Sequence, residues 1–310
     1  MKIVALAGGV GGAKMADGLA RSLPPGDLVV IVNTADDFEH YGLHISPDLD
    51  TVCYTLAGMA NPRTGWGRQD ETWNALRDLE RLGGPAWFRI GDQDLATHLE
   101  RTRRLRSGQH LSAIVRDFCI AWDVPARVLP MTDTIVRTVV QSDQGELDFQ
   151  QYFVKMGCEP RVRGFEFRGA LEATPAPGAV ESLEQAEGIV ICPSNPWVSI
   201  GPILSIAALR SAVAKGKTIA ISPIVGGKAI RGPAAKMYAE LGLQPSAVAV
   251  ARQYQELASG FVLDRVDHHL EAEIRAMGFR TLVSDTVMST VDDRSRLAAE
   301  VIEFLKAGLQ

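Results

Sequence analysis

The chain opens with a short, wholly apolar run, Ile3-Val4-Ala5-Leu6-Ala7. It passes through Gly8-Gly9-Val10-Gly11-Gly12 into a helical pattern with Met15, Leu19 and Leu23 on one face. A strand that enters a helix through glycines is a phosphate-binding turn: the backbone can approach an anion closely and aim its N–H groups at it. The helix N-terminus adds roughly half a positive charge. The opening therefore predicts a strand–turn–helix unit and a phosphorylated ligand. The alternative is a tight turn that binds nothing.

The kind of phosphate loop is restricted by Lys14. A Walker loop needs Gly-Lys followed by Ser or Thr, whereas Lys14 lies between Ala13 and Met15. Ordinary P-loop hydrolysis is therefore not expected. Gly9-Val10-Gly11 begins a dinucleotide fingerprint, but Lys14 stands where its third glycine belongs. A lysine there sets a mobile cation beside the phosphates. Gly9, Gly11, Gly12 and Lys14 are the candidate anion-binding residues.

Apolar runs recur at both ends of the chain and alternate with helical patterns. Strands are expected at Lys2–Ala7, Leu28–Asn33, Gly188–Cys192, Lys217–Ser222, Ala247–Ala251, Phe261–Asp264 and Thr281–Val283. Helices are expected after Gly12, near Asp50–Ala57, and over Ile200–Val213, Pro233–Leu241, Leu270–Met277 and Arg294–Leu305. Continuous Val/Ile runs mean strands buried on both faces, hence a parallel sheet covered by helices. The expected fold is α/β, a doubly wound Rossmann-like parallel sheet. Residues 1–60 and 180–310 would form the nucleotide- and metal-binding core. Residues 61–179 read as an inserted, partly helical cap, with helices over Leu95–Arg106 and Leu111–Trp122 and antiparallel strands over Ile135–Gln141 and Val162–Arg168. Arg101, Arg103, Arg104 and Arg106 read as a solvated helix face.

A net charge of −5 gives no broad nucleic-acid footprint. The four cysteines are scattered without metal-ligand spacing and read as buried thiols in a reducing compartment. No apolar stretch is long enough to span a membrane, and glycines end the N-terminal run too soon for a secretion signal. A cytoplasmic location is expected.

Ligands of such sheets sit beyond the carboxyl ends of the strands. Four loops should gather there: Gly8–Lys14, the acidic stretch from Asn33 to Thr51, Pro193-Ser194-Asn195-Pro196, and Ser222–Lys228. Asp36, Asp37, Asp48 and Asp50 fall in the second. Carboxylates beside a phosphate loop suit magnesium, which binds one or two carboxylates, phosphate oxygens and water. Asp48 is also well placed as a helix N-cap, which is the favoured reading for it. Asp37 and Asp50 are read as functional, and Asp36 could instead hold a ribose. Ser194, Asn195 and Ser222, with Gly226, Gly227 and Lys228, offer a second polar site. Arg89, before a glycine turn, is a candidate for a phosphate or polar ligand, and His98 reads as structural.

Taken in order, several motifs are more specific than any one loop: Gly8–Lys14, Asn33–Asp37, Pro47-Asp48-Leu49-Asp50-Thr51, Gly91-Asp92-Gln93-Asp94 with Ala96-Thr97-His98, Leu129-Pro130-Met131, Pro193–Pro196 with Ser199–Ile203, and Ser222-Pro223-Ile224. Together they resemble the 2-phospho-L-lactate transferase family, the CofD/FbiA group of coenzyme F(420) biosynthesis. The resemblance implies transfer of a phospho-three-carbon acid (2-phospho-L-lactate, phosphoenolpyruvate or 3-phosphoglycerate) from a GMP-activated diphosphate to the ribityl hydroxyl of the deazaflavin Fo, with release of GMP. It implies magnesium dependence and a homodimer. Carried over residue by residue, it places Fo at Asp50 and Arg89 and the metal at Asp37 and Asp50, with Asp50, Asp37 and Lys14 catalytic. Gln93 departs from the arginine expected at that position. Two other readings remain: a nicotinamide oxidoreductase, and a non-catalytic regulator of the same fold that binds a nucleotide sugar.

Overall fold

The computed structural model describes residues 1–308. In chain order come β1 (Ile3–Ala7), α1 (Gly9–Ser22), β2 (Leu28–Val32), β3 (Phe38–His40), β4 (Leu43–Ile45), α2 (Pro47–Leu56), α3 (Asn74–Arg81), α4 (Asp92–Arg106), α5 (Leu111–Ala121) and β5 (Arg127–Pro130). Then follow β6 (Arg137–Ser142), β7 (Gly145–Asp148), β8 (Val162–Arg168), α6 (Ala179–Glu184), β9 (Gly188–Ile191), α7 (Gly201–Ser205), α8 (Ala207–Lys215) and β10 (Thr218–Ile221). The last third holds β11 (Ile224–Val225), β12 (Lys228–Ala229), α9 (Ala234–Glu240), α10 (Ala247–Tyr254), β13 (Gly260–Asp264), α11 (Glu271–Ala276), β14 (Arg280–Ser284) and α12 (Val291–Ala307).

Seven of these strands form one parallel sheet in the order β14-β13-β10-β9-β1-β2-β5. Strand alternation sends Val4 and Leu6 to one face, where they pack with Leu209, Tyr238, Val250 and Ile274. It sends Ile3, Ala5 and Ala7 to the other, against Met15, Leu19, Val52, Leu297 and Val301. Helices therefore cover both faces, as the unbroken Val/Ile runs require. From β1 the chain builds outward to β2 on one side, and β9 flanks β1 on the other. That reversal of order opens a crevice beyond the carboxyl ends of β1 and β9.

Three expectations change. β5 lies inside the 61–179 span yet is an edge strand of the core sheet, paired with β2 from Val29↔Arg127 to Val32↔Pro130. Four residues ending in proline show no periodicity, and an edge position tolerates the missing N–H. α5 also packs into the core, through Leu111, Val115 and Cys119. The rest of the span holds α3, α4 and the antiparallel sheet β7-β6-β8. Secondly, Ala247–Ala251 begins helix α10 and is not a strand. Alternating Ala and Val over five residues fits either period, and Ser246 decides it by accepting the Ala249 N–H at 3.1 Å as an N-cap. Thirdly, the helix expected over 200–213 is broken at Ile206, whose backbone is extended, into α7 and α8. Cys53, Cys119 and Cys192 are buried free thiols, and Cys158 is half-buried. Among the described residues no single helix is long and apolar enough to cross a membrane.

Helix α1 crosses α12 at Gly18, where an added Cβ would lie 2.2 Å from the Arg294 carbonyl oxygen. Alanine is the better helix former by about 1 kcal/mol, but here it must push two backbones apart. Gly18→Ala should lower unfolding free energy by about 1–3 kcal/mol, the usual cost of overpacking, in urea titrations. A gain in stability would show that the helices are not in this contact.

Candidate functional site

The crevice holds a cavity of about 670 Å³ whose lining includes the glycine turn, the acidic loop, Arg89, the Ser194 loop and residues 286–288. Five chain segments distant in sequence meet there because each follows a strand of the sheet or belongs to the cap.

The glycine turn is built differently from a bare phosphate loop. Gly9 adopts φ +60°, the left-handed region that favours glycine. Gly11 serves close packing instead: a Cβ there would lie 2.3 Å from the Pro193 carbonyl oxygen. At Gly12 it would lie 2.4 Å from Ser194 Oγ, and Gly12 is not part of the cavity lining. Ser194 Oγ accepts the Gly8 N–H at 3.2 Å and donates to the Gly8 carbonyl at 2.8 Å, clamping β1 to the loop after β9. The Gly9 N–H is already taken: it donates to Asp48 Oδ1 at 2.8 Å, while Asn33 Nδ2 donates to Asp48 Oδ2 at 3.0 Å. Asp48 thus sits at the start of α1 and does not cap its own helix. The N-cap position of α2 is Ser46, whose hydroxyl donates to Asp37 Oδ2 at 2.7 Å.

The acidic residues separate into different roles. Asp36 faces the cavity, whereas Asp37 is outside its lining, with Oδ2 held by Ser46 and 3.0 Å from His44 Nε2. The cavity-side metal candidate is therefore Asp36, where the sequence reading had placed Asp37. Asp36 Oδ1 and Asp37 Oδ1 are buried without a hydrogen-bond partner. Burial, then the neighbouring Asp48 carboxylate, pushes the Asp36 carboxyl well above the usual range. Burial pushes Asp48 up to about 6 despite the hydrogen bonds from Asn33 and Gly9.

Asp50 lines the cavity with both oxygens on the Arg101 guanidinium, Nη1 to Oδ2 at 3.1 Å and a closer Nη2–Oδ1 contact. Arg101 is 1% exposed, so it is a buried ion-pair partner and not part of a solvated face. The i, i+4 and i, i+7 positions Asp94, His98 and Arg101 share one face of α4, turned toward α2. His98 lies 3.3 Å from Asp94 Oδ2 through Nε2 and 3.8 Å from Asp50 Oδ2 through Nδ1. The Tyr54 hydroxyl donates to Asp94 Oδ1 at 2.7 Å. Burial pushes the Asp50 carboxyl above the usual range, opposed by Arg101 and His98.

Arg89 lies exposed at the cavity edge, its guanidinium 4.4 Å above the Trp73 ring. Lys14 lines the cavity and donates from Nζ to the Met288 carbonyl at 2.6 Å. Burial, Arg294 and Arg231 all hold its pKa down.

On the late loops, Ser194, Asn195 and Ser222 reach the cavity, but their polar atoms are engaged internally. Asn195 Oδ1 caps the following turn by accepting the Trp197 N–H at 2.9 Å, and Ser222 Oγ donates to the Ile224 carbonyl at 2.8 Å. Gly226, Gly227 and Lys228 form the β11–β12 turn outside the lining, with the Gly226 N–H fixed on Asp267 Oδ2 at 2.9 Å. The cavity instead takes in Thr286-Val287-Met288, the Ile230–Ala234 segment, and aromatic walls from Trp66, Trp87, Phe88, Phe149 and Phe153. The loop after β14 was open to inference, since a strand was expected at Thr281–Val283. The aromatic walls carry no signal in the sequence beyond their composition.

Comparison with known proteins agrees with this architecture. The family model described as 2-phospho-L-lactate transferase CofD matches residues 3–303. The chain is similar to a protein of Streptomyces griseus named phosphoenolpyruvate transferase, 42% identical over 98% of each chain. It is similar to proteins named 2-phospho-L-lactate transferase from Methanopyrus kandleri, 39% identical over 99% of this chain and 98% of that one, and Methanosarcina mazei, 35% identical over 97% and 99%. Among solved structures, a UPF0052 family protein from Bacillus halodurans superimposes with a TM-score of 0.64 at 13% identity, over 97% of this chain and 98% of that one, a likeness of fold alone. Matched from end to end by the family model and by these relatives, the chain belongs to the CofD family of 2-phospho-L-lactate transferases.

Proposed function

We propose that the chain moves a phosphorylated three-carbon acid, 2-phospho-L-lactate or phosphoenolpyruvate, from a GMP-activated diphosphate to the ribityl hydroxyl of Fo in coenzyme F(420) biosynthesis. The observation that carries this reading is the meeting, in one cavity, of a glycine turn with Lys14, three carboxylates (Asp36, Asp48, Asp50) and an aromatic wall. A diphosphate suits the first, a divalent cation the second, and a flat deazaflavin ring the third. The names of the Streptomyces and archaeal relatives supply the substrate class.

Magnesium fits the residues present. Asp36 Oδ1 is buried without a partner, and burial with the nearby Asp48 carboxylate pushes its carboxyl well up, so a bound cation would favour its charged form. Asp36 and Asp50 would hold the ion. Bound there, magnesium would spread the charge of the transferring phosphoryl group. The chain's own residues position: the turn and Lys14 receive the diphosphate, and Asp50 and Arg89 mark the acceptor side. The Fo hydroxyl oxygen then forms a new bond to phosphorus, the phosphorus–oxygen bond to GMP breaks, and the hydroxyl proton is lost. Incubation with Fo, magnesium and each guanylated acid should give a product whose mass equals Fo plus the phospho-acid less water. Formation of no such product from any of the donors would overturn the reading.

Asp36→Asn removes a charge without orphaning an ion-pair partner. We expect transfer to fall by at least ~10²-fold, the scale of losing one electrostatic stabiliser, with the fold retained by circular dichroism. Near-normal turnover at saturating magnesium would remove Asp36 from the metal site.

Asp48 gives a pH signature. An acid whose folded-state pKa is raised from 3.8 to about 6 has a penalised charged form. Its contribution is best below the unfolded value and declines as pH rises through about 6. Asp48→Asn removes that decline. With chelator present, the stability of the variant relative to the parent should rise by about 1–3 kcal/mol between pH 4 and pH 7. Any new clash with Asn33 is independent of pH. A flat difference across that window would contradict the assignment.

A further inference from the structure

The cavity mouth carries a cation that the reaction as described leaves unused. The Ile230–Ala234 segment crosses the opening and meets the 61–68 loop of the cap. Arg231 joins them, its Nη1 donating to the Thr64 carbonyl and its Nη2 to the Arg63 carbonyl at 3.3 Å. Gly65 seats this loop on the glycine turn: a Cβ there would lie 2.6 Å from Val10 Cγ1 and 3.0 Å from Arg231 Nη1. The guanidinium therefore stands beside the first turn of α1, close enough to Lys14 to hold its ammonium pKa down.

Neither Arg231 nor Lys14 has an acidic partner among the described residues; both use neutral backbone carbonyls. Arg294, the third cation near Lys14, is already paired with Asp17 at 2.9 Å. Lys14 and Arg231 are thus cations without a paired carboxylate beside the turn, Asp293 being the acid near enough to act on Lys14, while Asp36, Asp48 and Asp50 make up the acidic side of the cavity. The two adjacent carbonyl oxygens fill the planar fork of Arg231 much as a carboxylate would. Exchanging neutral acceptors for a carboxylate gains a charge-assisted, bidentate pair.

We propose that Arg231 binds the carboxylate of the donor's three-carbon acid and so selects acid-bearing donors. The proposal rests on the transfer reaction above. In such a donor the carboxylate is attached to the carbon whose oxygen is esterified to phosphorus. With the diphosphate at the glycine turn, the carboxylate must therefore lie within a few bonds of α1. The acidic side repels it. Arg89 lies on the cap, stacked on Trp73, at the acceptor side. Arg231 is the unpaired fork beside the turn, and Lys14 remains for the phosphates.

The test compares the lactyl donor with its isopropyl analogue, in which a methyl group replaces the carboxylate, and with GDP. Arg231→Gln should lower kcat/KM for the lactyl donor by ~10²-fold, the scale of breaking a charge pair. It should leave the analogue and the Kd of GDP within ~3-fold. Arg231→Lys, which keeps the charge but not the fork, should recover part of the loss. Equal losses on both donors and on GDP would place Arg231 on the diphosphate and overturn the proposal, as would no loss. Displacement of a fluorescent GDP by each donor reads the same selectivity without turnover. Failure of the parent protein to transfer from any donor would then overturn the reaction and still leave the Arg231 selectivity measurable.

Discussion

The carboxylate of Asp48 sits at the N-terminus of α1, where backbone N–H groups favour an anion. Through Gly9 it holds the first turn of α1, and through Asn33 it holds the end of β2. The N-terminus of α1, the carboxyl end of β2 and the start of α2 are thereby fixed to one another at the topological switch point. The rest of the site depends on that tie. It sets Asp36, Asp50 and Lys14 around the same cavity. A glycine turn with a built-in carboxylate is a poorer site for a bare anion than a Walker loop, because like charge meets the incoming phosphate. A cation between them would reverse that, which is what the proposed magnesium would supply.

Much of this was legible in the chain. The apolar runs of β1, β2, β9, β10 and β13 are long enough to be read without a partner, and their connections place the Gly8, Asn33, Ser194 and Ser222 loops at one edge. What could not be read was orientation. Asp36 and Asp37 are neighbours in a turn, and which one faces the cavity depends on His44 of β4 and Ser46 after it, which hold Asp37. Arg101 looked like one of four exposed arginines because helical spacing alone does not show that α2 lies across that face. Ser194 and Asn195 are polar residues in a ligand-facing loop, yet their side chains serve Gly8 and Trp197. Polar atoms near a site are not free to bind until the local backbone has been satisfied.

The Asp50–Arg101 pair shows the cost and use of burial. A fully buried guanidinium needs its carboxylate, since removing one partner leaves the other charge stranded at a cost of roughly 3–5 kcal/mol. Asp50 therefore cannot move far without breaking the α2–α4 contact, and an acceptor or metal that meets Asp50 meets a fixed group. Tyr54, Asp94 and His98 extend the same network toward the cavity. The cap is thus anchored to the core by residues that line the cavity.

The same network argues against covalent catalysis by the protein. His98 is the histidine of the cavity lining, and it is 1% exposed and enclosed by Asp94, Asp50 and Arg101. Ser194, the buried hydroxyl nearest the glycine turn, both donates to and accepts from Gly8, so its oxygen is spent. In the proposed transfer the attacking group is the acceptor's own hydroxyl. The rate enhancement then has to come from holding that hydroxyl in line with the phosphorus and from matching charge on either side of it. Fixed carboxylates on one side and unpaired cations on the other are the parts such a mechanism needs.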